Sequence, residues 1–417
     1  MFDRPNGNRA VVSVAMLGAR MHFAVPRIFA EAGILHTFYT DFYVGNKKVL
    51  NRLVDLVPSD VMPTSWNRLT GRIGEGIPQE RVISFDSLGF WYYFKRRRQQ
   101  IPSGLPTLFA DVNQRFGNRV VRSGLNGSKL IWGFNRASLE IFRHARERGI
   151  RCILEQSTAP RKLELTLMNQ EIQRWPNWAD EKSPQGMDPL IERERAEWEF
   201  ADQIVCPSDF VARALQAEGV CGEKVAVVPY GVDTWYFDPP ASRSKQTFNV
   251  LFMGEVGLQK GVLYLLEALR SLNRQRSIRA KLVGPIALER ERLSEYRNWC
   301  EISGSVPRGA VRALYHWADV LVLPSVCEGS ATVTYEAMAC GLPIITTANS
   351  GSLVRDGIDG FVVPVCDSAE LRARITLLCD DEQLRSQMSA AANQRTNEIS
   401  LEAYGQRLLR TLSVLTD

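Results

Sequence analysis

Residues Val320 to Pro343 read V-L-V-L-P-S-V-C-E-G-S-A-T-V-T-Y-E-A-M-A-C-G-L-P. The apolar run Val320–Leu323 predicts a buried parallel strand. The run from Val333 to Cys340 predicts a helix, closed by Gly341. Between them lies a short loop of small residues, Gly329, Ser330, Ala331 and Thr332, flanked by Glu328 and Glu336 with seven residues between the two glutamates. Small residues let main-chain N–H groups approach a ligand. The start of a helix adds unpaired donors and a partial positive charge, which suits a phosphate. A carboxylate on each side of an anion site is unfavourable unless it binds something else. Hydroxyl groups are the natural partners of a pure acceptor. Diphosphate together with a polyol describes a sugar nucleotide. The plainer reading of Glu336, a solvated first-turn glutamate serving the helix dipole, fits that residue alone but not the whole constellation.

Working outward, the chain has 417 residues, more than one ordinary core accommodates, so two domains are expected. Hydrophobic content of 45% and charged content of 23% are those of a globular protein. The apolar runs, such as Val11 to Leu17, are too short to span a bilayer, and no signal peptide is evident. The eight cysteines include no C-x-x-C pair, which predicts reduced, mostly core thiols and a cytoplasmic location. A net charge of +5 is compatible with an anionic substrate or an anionic surface.

The N-terminal half opens with a predicted strand over Arg9–Leu17, after an unstructured start at residues 1–9. A tight loop at Gly18-Ala19-Arg20 follows, then a helix over Met21–Ala32 and a strand over Leu35–Thr40. This is a Rossmann-like beginning without G-x-G-x-x-G, so a dinucleotide is not indicated. His22 sits just past the first loop and is read either as a surface or capping residue or as an acceptor contact. Residues 42–127 are less regular. Strands over Leu130–Phe134 and Cys152–Glu155 bracket a helix over Ala137–Arg148. A second Rossmann-like unit starts at Phe248–Met253 and continues into Gly254-Glu255-Val256-Gly257-Leu258-Gln259-Lys260-Gly261. The expected division is residues 1–238, a linker at 239–247, a second domain at 248–396 and a terminal helical segment at 397–417. There is no D-x-D, H-E-x-x-H, G-x-S-x-G or Walker A loop.

The E-G-S…E-A-M-A-C-G-L-P run resembles the E-x7-E signature of retaining glycosyltransferases of the GT-B fold, in particular glycosyltransferase family 4 (group 1). The stretches A-D-Q-I-V-C-P-S-D-F-V (Ala201–Val211) and V-V-P-Y-G-V-D (Val227–Asp233) are similar to further segments of that family. The resemblance implies two Rossmann-like β/α/β domains facing a cleft, with the last helix crossing back to the N-terminal domain. It implies a nucleotide-sugar donor, a saccharide or lipid-linked acceptor and transfer with retained anomeric configuration. It implies no cofactor and no metal; nucleic acid is not expected either, since no known binding motif accompanies the basic residues. Glu328 then orients the donor sugar, Lys260 neutralises the leaving diphosphate and Glu336 holds the ribose. Gly18, Gly254 and the Gly329–Thr332 loop border the donor, and Val306 meets the nucleobase. The family's arginine after the first glycine of the clamp is Glu255 here, so either another cation, Arg20 or Arg136, completes the clamp or the diphosphate is held more weakly. No histidine stands at the ends of the strands near the donor sugar, where Asn135 and Gln156 offer hydrogen bonds instead.

One segment falls outside this scheme. Phe90-Trp91-Tyr92-Tyr93-Phe94-Lys95-Arg96-Arg97-Arg98 joins aromatics to a basic run. It is read either as a half-buried helix with a solvated basic face or as a peripheral contact with an anionic membrane. Two other functions compatible with the scaffold are a non-catalytic sugar-nucleotide-binding subunit and a sugar-nucleotide epimerase.

Overall fold

The computed structural model describes residues 12–45, 74, 76–98, 105–178, 188–241, 247–273 and 277–413. The expected first residues of the opening strand, the start at 1–9, most of the linker (242–246) and the end of the chain (414–417) lie outside them. Among the described residues thirteen strands form two separate sheets, and every ladder between them is parallel. The first sheet holds β1 (Val12–Met16), β2 (Leu35–Thr40), β3 (Val82–Ser84), β4 (Leu130–Phe134), β5 (Arg151–Glu155), β6 (Gln203–Cys206) and β7 (Val225–Val227), ordered β3-β2-β1-β4-β5-β6-β7. The second holds β8 (Phe248–Met253), β9 (Ile278–Val283), β10 (Cys300–Ser303), β11 (Val320–Leu323), β12 (Ile344–Thr347) and β13 (Gly360–Val363), ordered β10-β9-β8-β11-β12-β13. Both share the doubly wound strand order, whose ligand sites lie beyond the carboxyl ends of the strands.

Parallel strands must be covered on both faces, because their crossover helices pack there. Alternate residues of the first sheet therefore feed two cores. Val12, Val14, Met16, Trp132 and Phe134 pack with Phe29 on one face. Ala15, Ile131, Cys152 and Leu154 pack with Phe116, Ile141 and Phe142 on the other. The second sheet divides in the same way.

Two helices join the halves. The helix Leu401–Ser413 returns to the first sheet and buries Tyr404, Leu408 and Leu412 in its core. Arg407 fixes it by donating to the carbonyls of Pro229 and Tyr230 at 3.0 and 3.3 Å. The helix Arg161–Arg174 belongs by sequence to the first half, yet Leu167, Met168 and Ile172 pack on the core of the second. Tyr264 Oη donates to Glu171 at 2.8 Å, and Trp175 meets the Tyr264 ring edge-on at 5.5 Å.

Two expectations need correction. The predicted helix over Met21–Ala32 is α-helical only over Ala24–Glu31. Met21, His22 and Phe23 adopt left-handed backbone angles, with φ of 46°, 51° and 61°. Burial of the Phe23 ring against Phe38 and Tyr43 holds this turn. Residues 42–127 are also more regular than their sequence suggests, since a helix spans Leu105–Ser123 and buries Leu108, Val112, Phe116 and Val120.

Candidate donor site between the two sheets

The strand β11 delivers Glu328 at its carboxyl end, and the helix Thr332–Ala339 carries Glu336 one turn in. Glu328 forms an ion pair with Lys260, and both side chains are largely buried. Lys260 ends a short 3-10 turn, Leu258–Lys260, after β8, and its stem lies alongside Gly254. The turn closes at Gly261, where φ is 67° and a Cβ would overlap the Pro324 carbonyl. Only glycine lets these two loops pack so closely. Burial pushes the Lys260 ammonium down to about 8, while the Glu255 carboxylate pulls the other way.

Glu336 accepts a hydrogen bond from Tyr315 Oη at 2.7 Å. Burial raises its pKa, opposed by the Tyr315 hydrogen bond and the Arg308 charge. The helix Thr332–Ala339 has no side-chain cap. Of the loop amides, Ala331 N–H donates to the Ser350 carbonyl at 3.0 Å. The amides of Thr332 and Val333 have no protein acceptor among the described residues and open the helix toward the loop. The Ser330 hydroxyl is shared with Tyr335 Oη at 2.9 Å and the Gly351 carbonyl at 3.1 Å, so it fixes the loop from within.

Gly329 is where the two domains touch. A Cβ there would overlap the Ser157 carbonyl of the first domain. Ser208 Oγ donates to the Gly329 carbonyl at 2.6 Å while capping its own helix, Asp209–Ala217. The glycine therefore answers to the facing backbone as well as to the loop. His22 crosses the same gap: its Nε2 accepts from Arg308 at 3.1 Å. Burial, Arg308 and Arg27 lower the His22 pKa, in that order, favouring the neutral ring that can accept. The left-handed run around His22 costs of the order of 1–3 kcal/mol per residue and is held by packing on both sides.

The remaining candidates lie in two groups. Gly18, with φ of 88°, donates its N–H to Asp41 Oδ1 at 2.8 Å. Val306 precedes the helix Arg308–Trp317 and packs beside Tyr315. Asn135 and Gln156 belong to a buried network behind the cleft wall. Asn135 accepts from Ser157 Oγ at 2.8 Å, and Gln156 donates to Glu194 at 2.9 Å while accepting from Trp198 Nε1 at 2.9 Å. Arg136 donates to Glu194 at 3.1 Å and pairs with Glu164 at 3.4 Å. Glu197 accepts from the amides of Arg136, Ser138 and Leu139, and burial pushes its carboxyl up to about 8.

Sequence reasoning passed over four residues of this wall: Glu155, Ser157, Glu194 and Glu197. Glu155 ends β5 and accepts from Trp132 Nε1 at 3.0 Å and Tyr230 Oη at 3.2 Å. Burial pushes it up to about 7. Glu194 and Glu197 lie on the charged helix Pro189–Phe200, and at i and i+3 both turn inward. No cluster of three or more histidine, cysteine, aspartate or glutamate side chains suited to a metal occurs among the described residues.

Residues 237–395 match the family described as glycosyl transferases group 1. The Escherichia coli K12 protein provisionally named as a colanic acid biosynthesis glycosyltransferase, WcaL, is 29% identical over 231 residues. That alignment takes in 51% of this chain and 57% of the relative, so the chain spans little more than half the length of the curated relatives it matches. Among solved structures, sucrose-phosphate synthase from Thermosynechococcus elongatus superposes with a TM-score of 0.66 at 17% identity, over 98% of this chain and 99% of that one. The Anabaena protein Alr3699/HepE, crystallised with UDP, gives a TM-score of 0.61 at 16% identity, over 97% and 100%. At these identities the likeness establishes the two-domain GT-B fold.

Proposed function

We propose that the chain is a retaining glycosyltransferase of family 4. It transfers a sugar from a nucleoside-diphosphate sugar, a UDP- or GDP-sugar, to a saccharide or lipid-linked saccharide in the assembly of bacterial surface polysaccharide, exopolysaccharide or lipopolysaccharide. The observation that carries this reading is the placement of Glu328 and Glu336 at the two ends of the Gly329–Thr332 loop, with Lys260 against Glu328. The name of the Escherichia coli relative, which assigns it to colanic acid biosynthesis, and the UDP complex of the Anabaena protein support it.

Departure of the diphosphate builds negative charge, which Lys260 and the amides of Thr332 and Val333 stabilise without reorganising. Donor binding exchanges the Lys260–Glu328 pair for lysine–phosphate and carboxylate–hydroxyl contacts. Glu328 orients the anomeric carbon, and Glu336 uses the carboxylate that Tyr315 steadies to hold the ribose diol. The acceptor hydroxyl attacks from the face the leaving group vacates, and its proton passes to the departing phosphate oxygen. This scheme needs no metal. His22 lines the acceptor side, while Asn135 and Gln156 act at one remove by holding Ser157 and Thr158.

The helix Asp86–Arg98 leaves Phe90 and Phe94 exposed beside Lys95, Arg96 and Arg98. We assign it a peripheral contact with anionic lipid at the inner face of the membrane. No helix among the described residues is long and apolar enough to cross one. Sedimentation with phosphatidylglycerol vesicles, compared for the wild type and a Phe90→Ser/Phe94→Ser variant, tests this; equal recovery in the pellet contradicts it.

A second reading has one observation in its favour. Glu255 beside Lys260 weakens an anion site, which suits a subunit that binds the donor without turning it over. Incubation of labelled UDP- and GDP-sugars with bacterial lipid extract and EDTA separates the two. Transfer into the lipid fraction that Glu328→Gln abolishes supports catalysis, and retained configuration in the product by NMR supports the mechanism. Nucleotide binding without transfer supports the subunit.

A further inference from the structure

Around the loop Gly329–Thr332 the charge balance is wrong for a diphosphate. Lys260 is one cation facing two carboxylates, Glu255 and Glu328. A bound diphosphate adds further negative charge, so a second cation is required. Three arginines stand near the gap. Arg136 is committed to Glu194, Glu164, Thr158 and the Ala159 carbonyl. Arg308 stands on the Glu336 side and donates to His22. Arg20 differs from both. Among the described residues no carboxylate lies within ion-pair distance of it; Tyr230 and Glu155, which share a hydrogen bond, are the acidic groups whose charge it feels.

Arg20 is nonetheless held in place. Its guanidinium sits over the Phe134 ring at 5.6 Å and donates to Ser157 Oγ. Ser157 Oγ in turn donates to Asn135 Oδ1, and the Ser157 carbonyl is the group that Gly329 must clear. Arg20, Ser157, Gly329, Glu328 and Lys260 thus form one continuous line across the domain junction. A half-buried, oriented guanidinium without a carboxylate partner among the described residues is poised to meet an anion, and its fork suits phosphate oxygens.

We propose that Arg20 reaches from the N-terminal domain to the donor diphosphate and supplies the charge that Glu255 withholds from the C-terminal clamp. This rests on the donor-site reading above. Arg20 would also make diphosphate binding dependent on contact between the two domains, because the cation and the E-x7-E loop come from opposite sides.

The test is calorimetric titration of the wild type, Arg20→Gln, Glu255→Arg and the double variant with UDP and GDP, and with uridine and guanosine as phosphate-free controls. Arg20→Gln is expected to weaken the preferred diphosphate at least tenfold and leave the nucleoside unchanged. In the Glu255→Arg background the same change is expected to cost less than threefold, because the second cation is restored. If Arg20→Gln fails to fold, Arg20→Lys decides: a several-fold loss for diphosphate alone supports the proposal. Equal diphosphate affinity in a folded Arg20 variant, or an equal loss for the nucleoside, overturns it while leaving the donor site intact. A wild type that binds neither diphosphate overturns both this proposal and the donor-site reading.

Discussion

The two walls of the cleft are built on sheets of the same strand order but use their charges in opposite ways. On the C-terminal wall Lys260, Glu328 and Glu336 sit on short loops and a helix start, with few partners of their own. On the N-terminal wall Glu194 and Glu197 are almost completely buried and bonded to the side chains of Arg136, Asn135 and Gln156 and to four backbone amides. The first arrangement keeps charges ready for exchange with a ligand. The second satisfies them internally and fixes the position of Ser157 and Thr158. On the proposed reading one wall is a binding surface and the other a frame, so substitutions in the two should separate into effects on turnover and effects on stability.

The largest effect is expected in the frame. Glu194→Ala leaves Arg136 and two amide side chains without their shared acceptor, and breaking such a buried pair costs about 3–5 kcal/mol. Urea unfolding should show this loss; a variant as stable as the wild type would break the division between the walls. Next comes the binding surface. Lys260→Ala should raise the transfer barrier by about 2.7–4 kcal/mol, roughly a 10²–10³-fold loss of turnover. Its unfolding midpoint should hardly move, and a collapse in stability would place Lys260 in the frame instead.

A smaller effect follows from the Lys260 pKa of about 8 in the folded chain. The ammonium is the form that meets phosphate, and it is lost as pH rises through that value. Affinity for the preferred nucleoside diphosphate should therefore be flat below about pH 7 and fall above about pH 8, measured by titration calorimetry. Lys260→Arg should abolish the fall, since a guanidinium stays charged. An unchanged pH profile in that variant would move the titrating group elsewhere.

The same contrast explains what the sequence revealed. The C-terminal half was the more legible: β8 and β11 have the bounds the pattern predicts, and the helix after the loop is shifted by one residue. Its strands are short apolar runs, and Glu328, the Gly329–Thr332 loop and Glu336 follow one another in a single motif. The N-terminal wall is assembled from contacts between distant segments, such as Glu194 with Asn135 and Gln156, which no local spacing records. The helix Arg161–Arg174 was missed because its apolar residues serve two bodies and so spread around it. The helix Leu105–Ser123 did carry a signal, Leu108, Val112, Phe116 and Val120 at intervals of four. The turn at Met21–Phe23 looks helical in composition, and only tertiary packing of Phe23 makes it left-handed. Gly329 was legible as a small loop residue, but not as the place where Ser157 of the other domain comes to rest.

The most direct test of the donor site is a thermal-shift comparison of the wild type and Lys260→Ala with UDP, GDP, ADP, CDP and TDP in EDTA. The wild type should be stabilised by one of these, by about 2.7 kcal/mol at 100 times the dissociation constant, and Lys260→Ala should lose most of that shift. A wild type that none of the five stabilises, or a Lys260→Ala variant stabilised equally, would contradict the assignment of the E-x7-E loop and Lys260 as the donor diphosphate site.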